Sequence, residues 1–123
     1  MKKYLKLRKQ GKFYCSFDDD AYVMHSIFGY KISNGRVGFP SESLGKVINT
    51  LDNSKVDYVV IEKDKEVMKN TFSKNNYNKF FNEGHKSYGI IRYEEEIIDI
   101  VKNLPVEKLI KIIDYIKSVI NEW

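Results

Sequence analysis

Cysteine occurs once in the 123 residues, at Cys15, and histidine only twice, at His25 and His85. A single thiol forms no internal disulfide, and neither histidine has a second histidine or a cysteine at ligand spacing. Zinc fingers, zinc ribbons and dithiol redox pairs are therefore excluded as readings. No apolar run approaches the length of about 18 residues that a membrane span needs, and charges follow Met1 at once where a signal peptide would turn apolar. The expected location is cytoplasmic. Ser41 and Ser43 lack a Gly-x-Ser-x-Gly context, and there is neither a phosphate loop nor a dinucleotide fingerprint. Asp18, Asp19 and Asp20 are consecutive, so on a helix start they point in different directions and do not make the alternating pattern of a calcium loop. The expectation is a protein that is not an enzyme, with no metal and no cofactor.

What is present is a core-forming composition. Apolar residues make up 42% of the chain, with seven Phe and nine Tyr, and 14.5 kDa is the size of one domain. A chain this long buries roughly 65% of the surface it exposes when unfolded. The net charge of +4 is unevenly placed. Residues 1 to 12 hold six bases, Lys2, Lys3, Lys6, Arg8, Lys9 and Lys12, and no acid, while residues 69 to 92 hold five bases against Glu83 alone. Segments 13 to 68 and 93 to 123 are each net acidic. If the two basic segments meet they form a patch that attracts phosphate, with the acidic segments facing away; a solvated strand edge is the plain alternative.

Tyr4 to Arg8 alternates cations with leucine, and Lys12 to Phe17 places Phe13, Cys15 and Phe17 on one face. Both have strand periodicity, and Gln10 and Gly11 supply the turn or bulge of a first hairpin. A regular strand sends Phe13, with Cys15 and Phe17, into the core; a bulge at Gly11 or Lys12 turns it outward. Asp18 or Asp19 then starts a helix carrying Ala21, Met24 and Phe28 on one side. Ser33-Asn34-Gly35 marks a second hairpin between Tyr30 to Ile32 and Arg36 to Phe39. Pro40 and Ser41 open a helix with Leu44, Val47, Ile48 and Leu51 on its apolar face, and Val56 to Ile61 is the most apolar strand, expected inside the sheet.

Residues 63 to 89 read as a possible edge strand over Val67 to Phe72, then a long loop anchored by Tyr77, Phe80 and Phe81. Bases interleaved with aromatics suit a nucleic-acid strand, and equally a loop pinned to the core. From Tyr93 the pattern is helical. Ile97, Ile98 and Val101 lie on a short helix, and Pro105 opens a second with a stripe from Leu109 through Ile112, Ile113, Ile116 and Val119 to Ile120. That stripe is expected to pack on the protein's own sheet, or otherwise to form a dimer or partner face.

RKQGKFYCSFDDDA (residues 8 to 21), VGFPSESLGKVINTL (37 to 51) and YVVIEK (58 to 63) occur in the order of three motifs of one known family. With them the sequence resembles the N-terminal mismatch-recognition domain of the MutS family of DNA repair proteins, over residues 4 to about 66. The resemblance implies a mixed β-sheet flanked by helices, so the expected class is α+β, to which the helical pattern from Tyr93 adds a C-terminal extension. The tail from 63 to 123 has no counterpart in the family; the chain is expected to be a single domain over 1 to 123, with residues 94 to 123, helical by their own pattern, packed on the matching part. The resemblance also implies that Phe13 carries the family's wedge into the minor groove, with Tyr14 at the motif's middle position. Cys15 stands where the family has glutamate, so the polar half of mismatch reading is gone. No connector, clamp or ATPase domain fits in the remaining length.

Two readings follow. One is a small non-catalytic module that contacts duplex DNA, distorted or mismatched, through Phe13, Tyr14, Lys12, Lys9, Arg8 and Lys6. The other is a MutS-like fold reused for protein interaction, self-association or regulation through the C-terminal helix. No membrane partner is expected.

Overall fold

The computed structural model describes residues 3–121, so Met1 and Lys2 of the basic N-terminal run, and Glu122 and Trp123, lie outside the described residues. The chain divides into two compact units, Met1–Tyr88 and Gly89–Trp123.

The first unit is a five-stranded mixed sheet with helices packed on one face. Its strands are β1 (Leu5–Gln10), β2 (Phe13–Phe17), β3 (Arg36–Pro40), β4 (Tyr58–Glu62) and β5 (Lys65–Asn70), in the spatial order β3-β2-β1-β4-β5. Alternation builds the layer. Leu5 and Leu7 of β1, Tyr14 of β2, Val37 and Phe39 of β3, and Tyr58 and Val60 of β4 all project to the same side and form one buried cluster. Helix α1 (Asp19–Phe28) adds Ala21, Val23 and Met24, and α2 (Leu44–Ser54), entered through a single turn at Ser41–Ser43, adds Val47 and Leu51. The expected apolar face of α2 is thus the one it buries, with Leu44 and Ile48 half-buried at its margin.

The first hairpin forms as expected. Gly11, at φ 61°, takes the left-handed position of a two-residue turn, and Gln10 pairs with Phe13. β4 lies inside the sheet, parallel to β1, as its apolar sequence predicts. The second hairpin shrinks to the turn itself. Asn34 and Gly35 have positive φ, but a single Ser33–Arg36 bridge closes it. The Tyr30 carbonyl is already engaged by His25 Nδ1 at 2.8 Å, and β3 pairs along its length with β2.

Residues 77 to 89 are not a loop. They begin α3 (Tyr77–Asn103), a helix of 27 residues. The aromatics do anchor it: Tyr77 is buried, and Phe80, Phe81 and Tyr88 pack against the core. The connection that remains is residues 71 to 76, held by a part-buried polar knot. Asp57 accepts the Phe72 N–H at 2.8 Å, while Asn75 Oδ1 accepts from the backbone of Asp57 and Tyr77, and Asn75 Nδ2 donates to the Lys3 carbonyl at 2.7 Å.

The second unit comprises the C-terminal part of α3 and α4 (Val106–Asn121), which Pro105 opens by accepting the Leu109 N–H at 3.1 Å. No described residue of this unit is buried within it; Ile112, Ile113, Ile116, Val119 and Ile120 of the stripe are exposed.

Candidate functional site

β2 places successive side chains on opposite sides of the sheet. Tyr14 and Ser16 face the helices. Phe13 and Phe17 project from the other face, where no helix covers them, and are 51% and 37% exposed. The inward phase that a regular strand suggests is therefore the wrong one for Phe13 and Phe17, because Tyr14 and Phe39 fill the helix-side core instead; Cys15, between them on the open face, is buried as expected. No bulge is needed to turn Phe13 outward: it pairs in register with Gln10 on one side and Pro40 on the other.

On the open face, β2 and β3 present three cross-strand pairs in a row: Phe13 with Pro40, Cys15 with Gly38, Phe17 with Arg36. The middle pair is short. Cys15 is buried, and Gly38 has no side chain, so a hollow of about 300 Å³ opens between the taller pairs, walled by Phe13 and Gln10 and rimmed by Lys31, Ser33 and Arg36. Arg8 pairs with Cys15 from the β1 side and stands beside it. Further across the same face, Lys6 and Lys69 flank Val59 from β1 and β5. Here one cation of the second basic segment reaches the first, with Lys69 Nζ 4.4 Å from the Tyr4 ring centroid, while Lys79, Lys86 and Arg92 of that segment lie on α3.

The sequence-derived candidates are therefore separated. Phe13, Arg8 and Lys6 share the open face. Lys12 is exposed in the turn before Phe13. Lys9 points to the opposite side, across from Tyr14, and is paired with Glu62 at 3.3 Å. Tyr14 is a core residue: its ring stacks on Phe39 at 5.8 Å, Phe39 on Tyr30 and Tyr30 on Phe28. Burial, and next the nearby Glu62 carboxylate, push its phenol above the ordinary range.

Four cations from the net-acidic segment, overlooked when charge is summed by segment, border this region. Lys31 and Arg36 rim the hollow. Lys63 and Lys65 flank the β4–β5 turn, which lies at the same end as the β1–β2 turn because β1 and β4 run parallel; with Lys9 and Gly11 they line a cleft of about 540 Å³. The parallel strand pair is the signal that would have found them. Among the described residues the ion pairs are Lys3–Asp19 at 3.8 Å and Lys9–Glu62, which leaves Arg8, Lys12, Lys31, Arg36, Lys63 and Lys65 without an acidic partner.

Asp18, Asp19 and Asp20 begin α1 as expected, although Asp18 makes no side-chain cap. Asp20 instead accepts the Tyr77 hydroxyl at 2.6 Å and the Lys6 backbone N–H at 3.2 Å, tying α3 and β1 to α1. Burial raises the Asp20 carboxyl above its ordinary value against the opposing effect of these donors, and burial likewise raises the Tyr77 phenol. Among the described residues no three His, Cys, Asp or Glu side chains converge as a metal site, and no helix is long and apolar enough to cross a membrane. No family model matches this chain, and no curated protein matches it.

Proposed function

We propose that this protein is a small non-catalytic module that binds duplex DNA, distorted or mismatched, on the open face of its sheet, and that it acts in the cytoplasm. The observation that carries this reading is the half-exposed Phe13 ring on a face whose Arg8 and Arg36 have no acidic partner. An aromatic ring held out from a cationic surface offers stacking or wedging to bases while the cations meet phosphate. The resemblance to the MutS mismatch-recognition domain supports the same reading through the position of Phe13, with Cys15 in place of the glutamate. Lys12, Lys63 and Lys65, beyond the Phe13 end of the sheet, extend the footprint along a backbone.

Fluorescence anisotropy with matched, mismatched and single-stranded oligonucleotides tests it. The expected result is binding that weakens steeply between about 50 and 200 mM salt. It should be tightest for the mismatched duplex and fall about tenfold or more in Phe13→Ala, since stacking is worth about 1–3 kcal/mol per base. No binding to any of the three at the lower salt would overturn it.

A second reading, self-association through α4 of a chain that binds no DNA, is supported by Val106, Leu109, Ile113, Ile116 and Ile120. These alternate at steps of three and four and are exposed except for the half-buried Leu109. Sedimentation analysis distinguishes it: a dimer dispersed by Ile113→Lys and Ile116→Lys supports it, and a monomer at about 100 μM, well above a micromolar dissociation constant, removes it.

A further inference from the structure

We propose that the hollow over Gly38 is a subsite for one nucleotide, base against Phe13 and phosphate at Arg36 and Lys31. The inference rests on the nucleic-acid reading of the same face and adds to it a ligand unit and an address.

The argument begins with the three cross-strand pairs. Phe13 and Arg36 stand at opposite ends of the row, four residue steps apart in register, which at about 3.4 Å per step separates their backbones by roughly 14 Å. Their side chains can close on the space between, which is the reach of a nucleotide rather than of a bare anion or a lone ring. The two ends differ chemically as the two ends of a nucleotide do. One offers an exposed ring with the Gln10 carboxamide beside it, able both to donate and to accept at a base edge. The other offers a guanidinium suited to bidentate phosphate contact and a lysine, neither paired with an acid, with the Ser33 hydroxyl near them. At about 300 Å³ the hollow lies at the small end of ligand sites, which fits a single unit and not a strand laid through it. Stacked bases within a duplex do not reach such a recess, so the nucleotide it takes is one displaced from the stack or at a strand end.

Gly38 gives a clean way to test this. A Cβ there meets Cys15 Sγ at 3.6 Å and the Tyr14 carbonyl oxygen at 3.9 Å, ordinary contacts, and its φ is not in the left-handed region. The first carbon of a side chain is therefore accommodated at 38, and Gly38→Val, β-branched and suited to a strand, is the substitution that fills the hollow.

The experiment titrates the full chain with 5′-adenosine monophosphate, adenosine and inorganic phosphate, following backbone amide resonances, alongside the duplex anisotropy above. The expected result is that the monophosphate shifts Gly38 and Arg36. It should bind about fivefold or more tightly than adenosine, as a desolvated charge-assisted phosphate contact implies, and its affinity should fall at least fivefold in both Gly38→Val and Arg36→Gln. Equal affinity in wild type and Gly38→Val, or equal affinity for adenosine and its monophosphate, overturns the subsite. Duplex binding without monophosphate binding overturns the subsite and leaves the module reading standing. Monophosphate binding at Gly38 without binding to any oligonucleotide overturns the module reading and supports the hollow as a mononucleotide site.

Discussion

Phe13 and Tyr14 are adjacent in the chain and pass through opposite faces of the sheet: the Tyr14 ring stacks on Phe39 in the core, and the Phe13 ring stands half in solvent. Their substitutions should separate stability from binding. Tyr14→Ala removes a buried aromatic and is expected to cost about 3–5 kcal/mol. Phe13→Ala should cost less than about 1 kcal/mol, as changes at exposed positions do. Urea denaturation of both variants measures this, and a large loss in Phe13→Ala would mean that its ring packs more than it recognises.

Helix α3 approaches α1 at Gly84, where a Cβ would collide with the Tyr22 carbonyl group. Gly84→Ala is expected to destabilise the first unit by about 1–3 kcal/mol or more, because two backbones must move apart. Gly89, on the same helix, has nothing within 4 Å of where a Cβ would lie. Gly89→Ala should instead stabilise the chain by up to about 1 kcal/mol through helix propensity. Opposite shifts in melting temperature for two identical substitutions are the expected outcome.

These two glycines also mark where the sequence was hardest to read. Tyr77, Phe80, Phe81, Gly84 and Tyr88 recur at helical spacing, yet the asparagines and glycines between 75 and 89 resemble a loop. Packing outweighed propensity there, since Gly84 is where the helices need no side chain at all. The hairpin, α2 and the interior β4 were legible because local turn chemistry and periodicity agreed with the fold. The phase of β2 was not: its more apolar face, Phe13, Cys15 and Phe17, lies away from the helices, and Tyr14 and Ser16 face them, so alternation alone points to the other side. Among the proposed site residues, Phe13, Arg8 and Lys12 were legible as candidates. Arg36 and Lys31 were not, because only the pairing of β3 with β2 brings them to Phe13.

Asn75 organises the connection into α3 by receiving two backbone N–H groups and donating to the Lys3 carbonyl. Asn75→Ala leaves those groups to find other partners in a part-buried setting, each at about 1–3 kcal/mol if unmet. A loss of about 2 kcal/mol or more in urea denaturation is expected. Hydrogen exchange should show earlier opening at Phe72 and Tyr77 than at Leu7.

The Asp20 carboxyl has a folded-state value above its unfolded one, mainly through burial. Between those two values the folded chain holds more protons than the unfolded chain, so this residue's contribution favours folding at the acid side of the window and weakens as pH rises through it. Asp20→Asn keeps an oxygen to accept the Tyr77 hydroxyl and removes the titration. The expected outcome is a flatter dependence of unfolding free energy on pH across the acid range than in wild type. An unchanged slope would mean that Asp20 does not titrate differently in the two states.

Lys63 and Lys65 are predicted to meet phosphate rather than bases. The double substitution to alanine should lower affinity for every duplex by a similar factor and reduce the slope of log affinity against log salt by up to about two. A preference for mismatched over matched duplex that survives unchanged would confirm that these lysines position the nucleic acid and do not read it.

β5 is an edge strand whose Val67 and Met68 are exposed, and Lys65, Glu66 and Lys69 are the charges carried with them. Lysines on such an edge keep a second copy from adding its own strand. On the proposed reading, the cations that would draw in a polyanion are also the ones that hold copies apart in its absence. A bound polyanion would neutralise that repulsion, so the proposed function carries with it a crowding of loaded molecules along one strand of nucleic acid through the same side chains that would keep free copies apart.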